Sequence, residues 1–198
     1  MSEVAQETEG SGCACGQVQA AVCVQNDSRL AYRFAKRTFD IVFSVAVLVV
    51  GAVPGLILGI AVAKDTGGNP IYSQVRVGKG GKPFKLYKFR SMVADADNVT
   101  KYLDQEQLEQ WKRERKVNND PRVTPLGTFL RKTSIDEFPQ FINSFMGQMS
   151  VIGPRAITEG ELGWFGLDRE RLLSIRPGIT GLWQTGPRNE CTFESGKR

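Results

Sequence analysis

The sequence contains no histidine and only four cysteines, which limits the metal chemistry open to it. Cys13, Cys15 and Cys23 lie in a leader rich in glycine, alanine and glutamine, but a zinc site built on them would lack a convincing fourth ligand. We therefore predict reduced thiols and no metal site there. Residues 1–27 also lack lysine and arginine, so they lack the basic start of a secretory signal peptide. We predict that residues 1–28 form a disordered leader.

The positive charge of the chain is concentrated in its body. Residues 1–27 hold four acids and no base, so residues 28–198 carry +9 against a net charge of +5 for the whole chain. A basic body suits anionic partners such as nucleotide phosphates, acidic lipid headgroups or nucleic acid. The sequence has no helix-turn-helix, zinc-finger or RNA-recognition signature, so we expect no nucleic-acid partner. A membrane-tethered nucleic-acid binder remains a rival hypothesis. A length of 198 residues allows one domain with a sizeable core.

One segment, Ile41 to Ala63, is free of charged residues. At about 1.5 Å per residue, such a helix could cross a bilayer core of ~30 Å. Pro54 lies near its middle, where a proline removes a hydrogen bond and bends the helix axis. Basic residues flank both ends, so the positive-inside rule favours the cytoplasm for both. From these residues alone, a straight span, a re-entrant hairpin and a buried soluble helix all remain open.

The segment from Ser134 to Arg155 sets two adjacent carboxylates, Asp136 and Glu137, before an apolar helical pattern. Pro139 fits only the first turn of a helix, which predicts a helix start near Asp136. Apolar residues then recur at steps of three and four, which predicts one buried face. They are Phe138, Phe141, Ile142, Phe145, Met146 and Met149. By position alone, Asp136 could be an N-cap or a functional carboxylate that the helix end keeps ionised.

A β-hairpin is predicted between Gln74 and Met92, where apolar alternation flanks the glycine-rich turn at residues 78–83. Lys88 and Arg90 would share one strand face, either as a solvated surface or as phosphate contacts. The charged stretch from Asp95 to Asn119 is typical of an exposed helix.

Five blocks of sequence, in order, resemble one protein family. They are KRTFDI from Lys36, QVRVGKGGKPFKLYKFRSM from Gln74, DPRVTPLGTFLRKTS from Asp120, the Ser134–Arg155 segment with its SxDExPQ and MSxxGPR motifs, and RPGITGLWQ from Arg176. The chain thereby resembles the bacterial sugar transferase family, the monotopic polyprenyl-phosphate phosphoglycosyl transferases, between about Arg33 and Arg188.

The resemblance implies an α/β fold, mainly α with a small β-hairpin, in a single monotopic membrane domain. Residues 29–64 would form an interfacial and re-entrant, proline-kinked helix, and residues 65–198 a catalytic domain on the inner, cytoplasmic face of the cell membrane. The implied reaction transfers a sugar-1-phosphate from a nucleotide sugar, expected to be UDP-linked, to undecaprenyl phosphate. This step initiates exopolysaccharide or other surface glycan synthesis. Homo-oligomerisation is left open.

The resemblance also implies roles for individual residues. Asp136 would be the nucleophile that forms a covalent aspartyl-phosphosugar, and Glu137 with Asp136 would bind Mg²⁺. The substrate-binding candidates are Lys88, Arg90, Arg155 and Arg188. Arg122 and Arg131 are expected to be mainly structural.

The chain departs from the family pattern at three places. Val53 stands where relatives often have a serine before the kink proline, and Pro187 intervenes before Arg188 where relatives read Gly-Arg. Relatives also continue well past this position, so we expect a shortened C-terminus. The alternative hypothesis is therefore a catalytically inactive, membrane-anchored scaffold derived from a truncated transferase.

Overall fold

The first element is a single long helix, α1, from Leu30 to Thr66. The structure is a computed structural model that describes residues 30–114, 117 and 119–184. Helix α1 continues through Pro54 and is long and apolar enough to cross a membrane, with a mean hydropathy of 2.7 in its most apolar window. Only 6% of that window is buried inside the fold. The apolar helix predicted from the sequence is confirmed, whereas its path as a span or a re-entrant hairpin remains a prediction.

The predicted β-hairpin follows α1 directly. Strand β1 runs from Ile71 to Val77 and strand β2 from Pro83 to Phe89, and they pair antiparallel. The connection is a 3₁₀ turn over Lys79–Gly81, in which Gly80 has a φ of 68°, a conformation that favours glycine. Strand β2 buries its apolar side chains in the core, so the hairpin has one face on the body of the protein.

The charged stretch after the hairpin forms two short helices rather than the single predicted one. Helix α2 spans Val99–Tyr102 and helix α3 spans Gln105–Glu114. The chain breaks between them because Leu103 is buried and Asp104 caps α3, accepting a hydrogen bond from the Gln107 amide at 2.7 Å.

Helix α4 spans Pro125–Thr133 and leads into the carboxylate pair. Thr124 caps its start by accepting a hydrogen bond from the Gly127 amide at 2.9 Å, and Pro125 occupies the first turn. Ser134 ends the helix in the left-handed conformation, with a φ of 60°. A 3₁₀ turn over Ile135–Glu137 follows at once.

The helical turn predicted near Asp136 is the 3₁₀ turn over Ile135–Glu137, and the α-helix itself, α5, spans only Gln140–Phe145. The predicted buried face is wrong for three of its members: Ile142, Phe145 and Met146 are 41%, 48% and 47% exposed. The buried residues of α5 are polar, namely Gln140, Asn143 and Ser144.

The hydrogen bonds of Asn143 explain why α5 buries its polar face and exposes its apolar face. Its side-chain amide donates to the Lys85 carbonyl at 2.7 Å and accepts from the Tyr87 amide at 3.0 Å. Asn143 therefore satisfies backbone groups on the edge of β2 as a further strand would. The polar face of α5 must point inward to reach this edge, and its apolar face is left outside.

The remaining elements include a second, parallel strand pair that the sequence did not predict. Strands β3 (Ser150–Ile152) and β4 (Gly178–Thr180) pair in parallel. Between them lie α6 (Glu159–Leu162), a 3₁₀ segment (Gly163–Asp168) and α7 (Arg169–Ser174), and a 3₁₀ turn (Leu182–Gln184) follows β4. The described chain is thus mostly helical with a small antiparallel sheet.

Two glycines explain why the GPR and RPG motifs pack together. A Cβ atom on Gly178 would lie 2.1 Å from the Gly153 nitrogen, and one on Gly153 would lie 2.6 Å from the Arg176 carbonyl oxygen. No other residue fits at that separation without moving the backbone.

Polar residues of the KRTFDI block fix α1 to the body. Arg37 donates to the carbonyls of Ser144 and Phe145, both at 2.7 Å, and so caps the C-terminal end of α5. Asp40 is 1% exposed and accepts hydrogen bonds from the Ser150 hydroxyl and the Val151 amide. The block therefore joins the membrane-type helix to α5 and β3.

Candidate active site

Three charged side chains meet where the turn after α4 faces strand β2. The Lys88 ammonium donates to Glu137 Oε1 at 3.2 Å and lies 3.8 Å from Asp136 Oδ2. The left-handed Ser134 turns the chain so that the two acids follow α4 immediately. The structure thereby brings together three of the residues proposed from the sequence, Asp136, Glu137 and Lys88.

Asp136 is buried, and its burial raises the pKa of its carboxyl group above the ordinary value. The positive charge of Lys88 lowers this pKa, the negative charge of Glu137 raises it, and Arg131 lowers it. The expectation that a helix end keeps Asp136 ionised is wrong, because burial outweighs the influences that favour the ionised carboxylate and the pKa of Asp136 is raised. Ionisation of Asp136 depends instead on its two cationic neighbours.

Arg131, expected from the sequence to be mainly structural, also influences Asp136. Its Nε donates to the Ser91 hydroxyl at 2.8 Å, and its charge acts on Asp136. Desolvation of the guanidinium lowers the pKa of Arg131, whereas the charges of Asp136 and Asp120 raise it. The coupling arises from the fold of the turn between α4 and α5, and no motif in the sequence signals it. Arg131 therefore belongs to the electrostatic surroundings of Asp136.

Arg122, by contrast, is held by contacts with Asp120 and Ala96, and its mainly structural role stays a prediction. Its guanidinium contacts both oxygens of Asp120, at 2.8 and 2.6 Å, and also donates to the Ala96 carbonyl. The hydrogen bond from Arg122 to Ala96 joins the loop before α4 to the loop after β2.

The other proposed substrate-binding residues lie in different surroundings. Arg90 donates to the carbonyls of Asn69 and Ala94 and lies over the Tyr72 ring, so its described contacts join the hairpin to the end of α1. Arg155 lies beside Arg76, whose pKa is lowered first by burial and further by the Arg155 charge. Arg188 is outside the described residues. Phosphate contacts of these arginines stay predictions.

A cleft of about 300 Å³ opens beside Glu137. Ile135, Phe138, Phe141 and Ile179 give it apolar walls, and Ser134, Thr180 and Gln184 complete the lining with Glu137. Glu137 is the one charged residue of this lining within the described part of the chain. The volume is at the lower end of the roughly 300–1,000 Å³ found for ligand pockets.

The two carboxylates of the site fit one mode of Mg²⁺ binding, in which the substrate supplies part of the coordination shell. Mg²⁺ is commonly held by one or two carboxylates, with water and substrate phosphates completing its shell. Asp136 and Glu137 supply such a pair. Residues 30–114, 117 and 119–184 contain no group of three or more His, Cys, Asp or Glu side chains suited to a metal. The site therefore fits an ion that shares its ligands with a phosphate substrate.

Comparisons with known proteins agree with these features. A family model described as "Bacterial sugar transferase" matches residues 31–197. The undecaprenyl-phosphate galactose phosphotransferase of Salmonella typhimurium is 43% identical over 176 residues, which is 87% of this chain and 37% of that protein. The UDP-galactose-lipid carrier transferase of Erwinia amylovora is 40% identical over 86% of this chain and 36% of its own length.

A third relative is nearer to this chain in length. The exopolysaccharide production protein ExoY of Rhizobium meliloti is 41% identical over 163 residues, 80% of this chain and 72% of that protein. This chain thus spans little more than a third of the Salmonella and Erwinia proteins, but most of the Rhizobium one. Since the family model matches most of its residues, the chain belongs to the bacterial sugar transferase family.

Proposed function

We propose that the protein transfers a sugar-1-phosphate from a nucleotide sugar to undecaprenyl phosphate, a step that initiates exopolysaccharide or related surface glycan synthesis. The names of the Salmonella, Erwinia and Rhizobium relatives support the lipid acceptor, a UDP-sugar donor and the glycan pathway. The observation that carries the proposal is the cluster of Asp136, Glu137 and Lys88 beside an apolar cleft. Charged groups beside an apolar cleft suit the transfer of a phosphate group to a lipid acceptor.

In the first half-reaction, Asp136 acts as the nucleophile. A carboxylate oxygen forms a bond to the phosphorus that carries the sugar, and the bond from that phosphorus to the bridging oxygen breaks. The nucleoside monophosphate leaves with that oxygen and its electron pair. Lys88 and Arg131 offset negative charge near Asp136 and thereby favour its reactive, ionised form.

In the second half-reaction, a phosphate oxygen of the lipid attacks the same phosphorus. The bond to Asp136 breaks, the carboxylate is regenerated, and the lipid leaves as the sugar diphosphate. Glu137 and Asp136 are the residues that would hold Mg²⁺, which when bound would neutralise charge on the donor diphosphate.

We further propose that the protein is anchored in the cytoplasmic membrane through α1, with its site on the inner face. Between Ile41 and Ala63, the exposed side chains of α1 are all apolar, and Ile142, Phe145 and Met146 of α5 are also exposed. So large an apolar surface is unfavourable in water and favourable in lipid. A re-entrant path would leave both basic flanks of the helix on the cytoplasmic side.

The direct test is transfer of labelled sugar phosphate into the lipid phase. Wild-type protein in membranes is given Mg²⁺, labelled UDP-sugars and undecaprenyl phosphate, and release of UMP is measured alongside. Asp136→Asn should abolish both signals, whereas the matched exposed variant Asp168→Asn should keep them. Failure of the wild-type protein with every donor, while folded, would favour the inactive scaffold.

A further inference from the structure

The apolar cleft beside Glu137 differs in character from the charged cluster next to it. Among the residues that the structure describes, eight line the cleft: four are aliphatic or aromatic, three are neutral and polar, and Glu137 alone is charged. The cations that act on Asp136, Lys88 and Arg131, are not among the lining residues. Glu137 therefore contacts the Lys88 ammonium on one side and lines the apolar cleft on the other.

This asymmetry decides which substrate the cleft suits. A nucleotide sugar carries a diphosphate and needs cationic or hydrogen-bonding groups along its length. A polyprenyl phosphate has one charged end and a long aliphatic tail, which gains free energy from apolar burial. The cationic side suits the donor diphosphate, and the cleft suits the tail of the acceptor.

Two residues of the cleft wall, Phe138 and Phe141, also contact α1. Phe141 packs against Phe43 of α1, with ring centroids 6.0 Å apart. Phe138 lies against Gly51 and Gly55, where an added Cβ would be 2.3 Å and 3.0 Å from its ring. A chain in this cleft would thus have its phosphate end at the carboxylates and its tail near the apolar helix.

We propose that this cleft receives the first isoprene units of the acceptor lipid; the inference rests on the proposed function. The occupant positions the lipid phosphate for the second half-reaction, in which its oxygen bonds to the phosphorus and the bond to Asp136 breaks. Formation of the aspartyl-phosphosugar does not require the cleft to be filled.

The two half-reactions can be measured separately on the full chain. The variant Thr180→Phe places an aromatic ring at an exposed position of the cleft wall. Thr100→Phe, at an exposed position on α2, is the matched control. The covalent adduct is formed with UDP-sugar and Mg²⁺ alone, and its discharge is timed after undecaprenyl phosphate is added.

We expect Thr180→Phe to form the adduct at the wild-type rate and to discharge it about tenfold more slowly, the factor expected for losing about two buried methylene groups. Thr100→Phe should match the wild type in both steps. Slowed adduct formation with normal discharge would identify the cleft as a donor site. Unchanged kinetics in both steps would exclude a substrate there. Absence of any adduct in the wild type would instead overturn the proposed function.

A second measurement needs no variant and covers the case in which Thr180→Phe fails to fold. A polyprenyl phosphate with a diazirine on its first isoprene units is photolysed with wild-type protein in membranes. Labelling of the peptide that contains Phe138 and Phe141, prevented by excess undecaprenyl phosphate, is the expected result. Labelling confined to α1 would contradict the proposal.

Discussion

Enlarging Gly51 should disturb the active site from within the membrane-type helix. An added Cβ atom would lie 2.3 Å from Phe138 Cε2 and 2.5 Å from Cζ, closer than such atoms approach in proteins. The Phe138 ring cannot easily move aside, because it also stacks against Phe89 with centroids 6.3 Å apart. Phe138 directly follows Glu137, so a displaced ring moves the carboxylate turn.

The expected cost follows from two opposing terms. Overpacking of this kind destabilises by about 1–3 kcal/mol. Replacing glycine by alanine inside a helix returns roughly 1 kcal/mol of that loss. We therefore expect Gly51→Ala to lower the free energy of unfolding by about 1 kcal/mol. The transferase rate should fall further, by up to ~100-fold, since a displacement of about 1 Å at a catalytic group can cost that much.

The assay combines thermal unfolding in lipid nanodiscs with sugar-phosphate transfer. Gly160→Ala is the matched control, because its added Cβ would contact nothing within 4 Å and it also lies in a helix. The double variant Gly51→Ala/Phe138→Leu should recover activity, since the smaller side chain relieves the collision. The reasoning is refuted if Gly51→Ala behaves like Gly160→Ala, or if the double variant is no more active than Gly51→Ala.

Three further predictions concern the charges and the edge of β2. Burial raises the pKa of Asp136 in the folded state above its unfolded value, so the free energy of unfolding falls as the pH rises through the folded pKa. Asp136→Asn should remove this loss and raise the melting temperature at neutral pH. An unchanged pH dependence of the melting temperature would contradict this prediction. Lys88→Met removes a charge that lowers the pKa of Asp136, so the acid limb of the pH–rate profile should move to higher pH. The control Lys85→Met, at an exposed position, should leave the acid limb in place. An acid limb that does not move in Lys88→Met would exclude an effect of Lys88 on Asp136. Asn143→Leu leaves the Lys85 carbonyl and the Tyr87 amide unpaired, so it should lower the free energy of unfolding by about 2–4 kcal/mol in chemical denaturation. A loss no larger than that of an ordinary surface substitution would refute the role of Asn143 at the edge of β2.

Local features of the fold were predictable from the sequence because their causes are local. Apolar alternation and a glycine-rich turn specify the hairpin, and an uncharged apolar run specifies α1. The two helices in place of one after the hairpin depend on Asp104 acting as a cap, which a charge pattern does not reveal.

The orientation of α5 was not predictable for a different reason. Its periodicity indicates one apolar face, and in water-soluble proteins such a face is normally buried. Here the hydrogen bonds of Asn143 to β2 turn the polar face inward instead. The parallel pair β3–β4 was missed because each strand has three residues and its partner is distant in the chain.

The site itself was predictable only in part. Asp136 and Glu137 are adjacent in the sequence, but the position of Lys88 beside them depends on the packing of β2 against the turn, and only the family resemblance pointed to it. Arg131 acts on Asp136 because α4 ends in the left-handed Ser134, a conformation that no residue pattern specifies. Charge coupling across elements requires the fold.

The central claim is covalent catalysis by Asp136, and intact mass spectrometry tests it most directly. Protein extracted from membranes is incubated with Mg²⁺ and a panel of UDP-sugars in the absence of acceptor lipid. The account predicts a mass gain equal to one sugar phosphate with the correct donor, present in Asp168→Asn and lost in Asp136→Asn. An adduct that persists in Asp136→Asn, or no adduct with any donor from a folded protein, would contradict it.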